Sequence, residues 1–346
     1  MKRIALIILA CTGLTGLAAN VLLNNYLDQP LTLTESPSIF EVPAGASLKQ
    51  VAASLNAAEQ LEFPAVLTTW GGWSGYAEQI KAGEYAIERG TTPRSLMQQL
   101  IDGQVLLHSF TILEGWTVPE LLTAIKQSEH LQQTLNDPTL EELSSLLDLK
   151  GVHPEGQFYP DTYRFPRNFS DTDILRMSAE LMQRELANAW ENRDEHLPLK
   201  TPYELLTLAS IIERETGLEA ERSDVAGVFV RRLSKDMLLQ TDPTVIYGLG
   251  DAYGGNLTRR HLRTDTPYNT YTRKGLPPTP ISLPSAAALH AAAHPAKGTA
   301  LFFVARGNGS AGHEFSDTLE QHNAAVGRYL ARLREARRQG STGSRH

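Results

Sequence analysis

The residues best suited to chemistry lie in one short stretch, Leu208-Ala209-Ser210-Ile211-Ile212-Glu213-Arg214-Glu215-Thr216. Just before it, Thr201-Pro202-Tyr203-Glu204 combines an N-cap Thr, a Pro at the first helical position and an acid at the third, which predicts a helix start. Gly217 predicts its end. At ~100° per residue, Leu205, Ala209 and Ile212 centre an apolar face, with Thr207, Ser210 and Arg214 opposite. Glu213 and Glu215 fall on the two flanks of that face, about 200° apart, so they do not readily enter one pocket. A glycosidase with two catalytic carboxylates needs both acids around one bond, about 5–9.5 Å apart; this helix offers one acid per pocket. A half-buried Glu213 beside Leu206 and Ala209 would be poorly hydrated, which favours the protonated form that a proton donor requires. The competing expectation from pattern alone is a surface Glu213 paired with Arg214, Arg222 or water.

Further polar residues stand in loops. Gln240-Thr241-Asp242-Pro243-Thr244 follows an apolar helix containing Val225, Val228, Phe229 and Leu233. Its Asp-Pro pair predicts a turn. Two roles stand open for Asp242: cap of a helix from Thr244 to Tyr247, or, with Gln240, hydrogen-bond partner of a sugar or of Glu213. Tyr268-Asn269-Thr270-Tyr271 and the Pro277-Pro278-Thr279-Pro280 loop suit a cleft wall where flat rings and polar tips meet glycan, or a rigid surface loop. His290 and His294 are four apart on an Ala-rich stretch, but no Glu follows the first His and Pro295 ends the helix, so no metal is expected. No Gly-rich loop carries the Lys-Ser/Thr of a nucleotide site, and no cofactor is expected.

The elements that must position these residues begin with a threefold pattern. Phe40 to Ser47, Tyr85 to Thr92 and Phe110 to Thr117 each place an aromatic and a β-branched residue two apart, on one face of a strand. Each then has a Gly suited to a positive φ, and a Ser or Thr two residues later suited to cap a helix. Gln50 and Glu120 complete capping boxes in copies one and three. Val51 and Leu55, Leu96 and Leu100, Leu121 and Ile125 follow at matched places, four apart on one helix face. Strand–turn–helix therefore repeats. The first two copies resemble a LysM-like module, which in other proteins holds N-acetylglucosamine polymers. Trp70, Trp73 and Tyr76 lie between them, as core residues or as platforms for sugar rings.

The chain has 346 residues, 32 Lys and Arg against 39 Asp and Glu, and 41% hydrophobic residues. That is room for two or three domains and too few apolar residues for a multi-span membrane protein. An acidic chain without a dense basic stripe is a poor partner for nucleic acid. The single cysteine, Cys11, permits no internal disulfide. Lys2 and Arg3 precede an apolar run at residues 4–23, interrupted by Thr12, Thr15 and Asn20. About twenty residues at ~1.5 Å each match a bilayer core of about 30 Å, and the two cations favour the cytoplasmic side. An uncleaved anchor is the reading preferred here, over a cleaved signal peptide ending near Ala18-Ala19-Asn20 or a lipoprotein modified at Cys11.

The stretch around Glu213 closely resembles the endolytic murein transglycosylase family (MltG, YceG-like). So do Pro154-Glu155-Gly156-Gln157-Phe158-Tyr159-Pro160-Asp161-Thr162-Tyr163 and Gln240 to Gly248. Pro267 to Tyr271, Gly275 to Pro278, Ala291 to Pro295, Phe302 to Ala305, and Gly312 to Phe315 with His322-Asn323 follow in order. The resemblance runs over about residues 40–330. It implies that Glu213 is the catalytic acid/base and that the β-1,4 bond between N-acetylmuramic acid and N-acetylglucosamine is cleaved without water. The muramic C6 hydroxyl would close onto C1 as a 1,6-anhydro ring. Glu215, Gln240, Thr241, Asp242, Tyr268, Asn269, Thr270 and Tyr271 would then bind substrate.

The fold class expected is α+β: an N-terminal transmembrane helix, a small LysM-like α/β module and a mixed α+β catalytic domain. The boundaries expected are an anchor at 1–27, a linker at 28–38, the LysM-like module at 39–107, the catalytic region at 108–333 and a disordered tail at 334–346. Glu155 to Phe165 is read as part of a helical linker region. The implied partners are peptidoglycan glycan strands, the inner membrane through residues 4–23, and peptidoglycan synthases beside which nascent strands would be terminated. The implied location is the inner membrane with the catalytic domain in the periplasm. Two rival functions stand beside this one: a muramidase-type hydrolase and a non-catalytic peptidoglycan-binding scaffold.

Overall fold

The computed structural model describes residues 2–149, 152–308 and 312–342. The chain divides into two compact units, one made of the residues up to Ser109 together with Arg164–Phe169, the other of Phe110–Tyr163 and Ser170 onward.

The chain order of the first unit is α1 (Lys2–Leu27), β1 (Ser38–Val42), α2 (Leu48–Ala57), α3 (Pro64–Trp73), β2 (Gly83–Ile87) and α4 (Pro93–Asp102), followed by β3 (His108–Thr111) at its end. β1 and β2 pair antiparallel with Phe40 opposite Tyr85. Alternate residues of β1 are buried, as a period of two requires. The repeat is realised as strand, turn and capped helix three times, the third helix being α5 (Val118–Lys126). Gly45, Gly90 and Gly115 all take a positive φ, at 75°, 94° and 76°, where a Cβ would be strained. Ser47 with Gln50 and Thr117 with Glu120 close the expected capping boxes; Thr92 with Ser95 closes a third. Val51, Leu55, Leu96 and Leu100 join Phe40, Val42, Tyr85 and Ile87 in one core. Trp70 and Tyr76 pack partly against it, edge to face at 5.4 Å. Trp73 alone of the three stands in solvent, 82% exposed. Arg167 belongs to this unit through Glu84, which is buried and also bonded to His108 at 2.9 Å.

The expected anchor at residues 4–23 is met as a helix, since α1 runs Lys2–Leu27. It is not met as a span: among the described residues no helix is long and apolar enough to cross a membrane. Within that run the side chains at 5, 6 and 8–10 lie outside those described. At its other end α1 is fixed to the unit by Arg94, which donates to Asp28 at 2.7 Å and Asn24 at 2.7 Å.

The second unit continues after α5 with α6 (Leu140–Leu146), β4 (Thr162–Phe165), α7 (Asp171–Glu191), α8 (Pro202–Glu215), α9 (Glu219–Ser234) and α10 (Asp242–Leu249). It closes with α11 (Arg259–Arg263), α12 (Ala286–Ala293), β5 (Phe302–Ala305), β6 (His313–Ser316) and α13 (Leu319–Thr342). β3 pairs with β4, and β5 with β6 in antiparallel register, Phe303 opposite Phe315. α8 is the central element, flanked by α7, α9, α10 and α12. Every residue from Leu205 to Ile212 is buried, so Thr207 and Ser210, expected on an exposed face, are inside. Their hydroxyls are satisfied locally: Thr207 donates to the Tyr203 carbonyl at 2.8 Å and Ser210 to that of Thr207 at 2.7 Å. Ser210 also accepts from the Ile281 N–H at 3.0 Å, and its carbonyl accepts from the Ser282 hydroxyl at 3.1 Å. A polar helix face can be buried when each group has such a partner.

Two further expectations are corrected. The segment from Glu155 to Phe165 is not a helical linker but an irregular stretch ending in β4, with Glu155 and Phe158 buried. Its Pro and Gly residues leave no room for a helix. Of the tail expected to be disordered at 334–346, the described part continues α13 as helix to Thr342, and residues 343–346 lie outside the described residues.

Candidate active site

Glu213 sits in the last turn of α8 with its side chain only 6% exposed. One carboxylate oxygen accepts from the Ser285 N–H at 2.9 Å and from the Ser285 hydroxyl at 2.5 Å. The other lies 3.4 Å from Nη2 of Arg222 on α9. Ser285 is the N-cap of α12, where the Ala288 N–H donates to its hydroxyl at 3.2 Å. One serine thus starts a helix and clamps the acid, and the positive end of that helix faces the carboxylate. The apolar pocket expected around Glu213 is replaced by these donors. The physical reason is that α12 and α9 bring an N-terminus and a guanidinium to the end of α8, while Leu206 and Ala209 turn into the core.

The loop before α5 closes the other side. The Gly115 N–H donates to the Leu283 carbonyl at 2.8 Å, the Leu283 N–H returns to Trp116 at 2.7 Å, and Arg214 donates to the Gly115 carbonyl at 3.0 Å. A Cβ on Gly115 would stand 3.9 Å from Cγ of Glu213 and 3.8 Å from Arg214. The backbone itself approaches the acid there. Arg222 has a second carboxylate neighbour, Glu114, at 3.9 Å, and its buried Nε has no hydrogen-bond partner among the described residues.

Glu215 points to a different set of groups, as the helix period requires. It accepts from the Thr241 hydroxyl at 2.7 Å. Burial pushes its carboxyl up from the ordinary range, against the Thr241 hydrogen bond, and the charge of Asp242 adds to the rise. Thr241 stands at the N-cap position of α10 and Asp242 is the first helical residue; Asp242 is thus not the cap, and the Thr241 side chain makes no capping hydrogen bond either. Asp242 instead accepts from the Tyr271 hydroxyl at 2.6 Å. Gln240, exposed and at a φ of 53°, accepts from Arg232 at 3.2 Å.

The other loop residues divide. Asn269 is buried and spends its amide on the carbonyls of His261, Leu262 and Thr264. Thr270 is buried, with its hydroxyl on Thr244 at 2.9 Å and on the Thr241 N–H at 3.1 Å. Both hold the loop in shape. Tyr268 shares a hydrogen bond of 2.9 Å with Thr279 and packs edge-on to Tyr247 at 5.0 Å. Of the Pro loop only Pro278 is exposed; Pro277, Thr279 and Pro280 are buried.

The sequence reading did not single out Ser285, Glu114 or Glu155 for the site. Glu155 is almost wholly buried, accepts from the Val118 N–H at 3.1 Å and from the Tyr247 hydroxyl at 3.0 Å, and is pushed up by that burial to about 7. Its neighbour Gly156, at a φ of 80°, leaves no room for a Cβ, which would fall 2.6 Å from Pro280. The signal was present: Ser285 precedes an Ala-rich run as a cap would, and a Glu between Pro and Gly is not a helix residue.

A model of the YceG-like family matches residues 40–328, and the chain belongs to that family. Among its relatives is the endolytic murein transglycosylase of Bacillus subtilis (strain 168), 29% identical over 312 residues that cover 85% of each chain. The endolytic murein transglycosylase of Streptococcus pneumoniae serotype 2 is 26% identical over 298 residues, 76% of this chain and 53% of that longer one. A crystal structure of a yceG-like protein from Listeria monocytogenes aligns with a TM-score of 0.53 at 29% identity, covering 83% of this chain and 98% of that one. The mixed α+β architecture is shared with it.

Proposed function

We propose that this chain is an endolytic peptidoglycan transglycosylase with Glu213 as its acid and base. The observation that carries the reading is the placement of Glu213: one carboxylate at the end of a buried helix, fixed by Ser285 and Arg222, with Glu215 bonded elsewhere. Glu213 gives its proton to the oxygen between N-acetylmuramic acid and N-acetylglucosamine as the bond to C1 breaks. The same carboxylate then takes the proton of the muramic C6 hydroxyl, whose oxygen closes onto C1. An internal nucleophile removes the need for a second acid to activate water, which suits a helix that offers one. Rigid positioning of the acid by three donors serves general catalysis, since proton transfer depends on geometry before acidity. Glu215, Gln240, Thr241, Asp242, Tyr268 and Tyr271 line the approach to the glycan in this reading, with Asn269 and Thr270 supporting them. The names of the bacillary and streptococcal relatives support the same activity.

The end groups left on digested glycan strands test it. Transglycosylation leaves muramic ends that are one water lighter than the reducing ends of a hydrolase; reducing ends as the main product would refute it. The first unit, with β1, α2, α3 and β2 and the exposed Trp73, is proposed to hold glycan as a LysM-like module. Residues 4–23 are proposed to keep the catalytic unit at the outer face of the inner membrane, near peptidoglycan synthases. Recovery of the full-length chain in the soluble fraction of lysed cells would contradict that placement.

A further inference from the structure

The turn behind Glu213 carries a side chain that its own geometry does not require. The strand–Gly–cap turn occurs three times with the Gly at φ 75°, 94° and 76°, and the residue before the Gly is Ala44, Arg89 and Glu114 in turn. A turn that forms with Ala, Arg or Glu has no need of an acid. In the third copy that acid stands 3.9 Å from Nη2 of Arg222, the same nitrogen that lies 3.4 Å from Glu213. The Glu213 side chain is 6% exposed and that of Glu114 57%. One carboxylate is therefore held inside and the other faces the solvent from which substrate must come. Burial first, and the charge of Glu213 second, push the Glu114 carboxyl up. Arg222 hydrogen-bonds Glu213 at 3.4 Å but stands 3.9 Å from Glu114 and leaves its buried Nε unused, so no tight structural pairing accounts for Glu114.

We propose that Glu114 is a second substrate-facing carboxylate of the Glu213 site, set across Arg222 from the acid, where it accepts a hydroxyl of the sugar being cleaved and places negative charge beside its ring. The inference rests on the transglycosylase reading. Positive charge builds on C1 and the ring oxygen in an oxocarbenium-like transition state, and a fixed anion beside it lowers the barrier more than it strengthens ground-state binding. Glu114 makes and breaks no covalent bond. The proton given to the leaving oxygen and the proton taken from the C6 hydroxyl both pass through Glu213.

The test compares full-length wild type, Glu114→Gln and Glu114→Asp on purified glycan strands, measuring kcat and KM separately and the end groups by mass. Arg89→Gln, at the matching turn position of copy two, is the control and keeps wild-type kcat. Glu114→Gln is expected to lower kcat at least about tenfold, to change KM by less than about threefold, to keep anhydro ends and to melt as wild type does. Glu114→Asp recovers part of the loss. A Glu114→Gln kcat within twofold of wild type, or a defect confined to KM, overturns the proposal while leaving Glu213 and the reaction type intact. Wild type that leaves no anhydro ends overturns both readings, and is distinguished because it needs no variant.

Discussion

Glu155→Gln replaces a buried acid with a neutral side chain of nearly the same shape. In the folded chain burial raises this carboxyl from 4.5 to about 7, against the hydrogen bonds from Tyr247 and Val118. When the chain unfolds the group returns to water. Between pH 4.5 and 7 the folded state therefore binds a proton that the unfolded state has lost. Stability from this group is fully present below pH 4.5 and disappears as pH rises through 7. At about 1.4 kcal/mol for each pH unit between the two values, the whole span is worth about 3.5 kcal/mol, and about 2.5 kcal/mol of it falls between pH 5 and 8. Gln has no proton to lose. Urea unfolding of wild type and Glu155→Gln at both pH values isolates this group, because every other titration cancels in the difference. Wild type is expected to lose about 2.5 kcal/mol relative to the variant on going from pH 5 to 8. A difference that stays constant across that range would refute the view of Glu155 as a buried, protonated link between the start of α5 and Tyr247.

Other perturbations probe the frame around Glu213. Ser285→Ala keeps the backbone N–H to Glu213 but removes the hydroxyl; the loss of one charge-assisted hydrogen bond predicts a kcat lower by about tenfold, and loss of the α12 cap predicts about 1 kcal/mol less stability by urea unfolding. Gly156→Ala forces a Cβ to 2.6 Å from Pro280 at a φ of 80°; an expected loss of about 2 kcal/mol or more follows from strain and overlap together, and an unchanged midpoint in urea would contradict the geometry.

Local signals carried much of the fold. Each Gly of the threefold turn lies at positive φ, each Ser or Thr two residues on is a cap, and Val51, Leu55, Leu96, Leu100, Leu121 and Ile125 are all buried. Such features depend on a few adjacent residues, which is why spacing reveals them. The helix of Glu213 and the separation of Glu213 from Glu215 were legible for the same reason. What surrounds them was not. Ser285 is 72 residues from Glu213 and reaches it because α12 packs on α8. Glu155 meets Tyr247 across 92 residues. Thr207 and Ser210 looked like an exposed face because helix periodicity records polarity, while their burial depends on partners: the Tyr203 carbonyl for Thr207, and Thr207, Ile281 and Ser282 for Ser210. Asn269 has the chemistry of a sugar ligand, yet three carbonyls at the C-terminal end of α11 take its amide.

Binding and cleavage measured together on Glu213→Gln address the central claim most directly. The variant keeps the shape of the side chain and an oxygen that can accept from Ser285, with its NH2 turned towards Arg222, but it cannot give or take a proton. Full-length Glu213→Gln is predicted to melt within a few degrees of wild type, to retain glycan strands in pull-down, and to release no anhydro ends. Release of anhydro muramic ends by the variant at a rate near that of wild type would contradict the assignment of the acid.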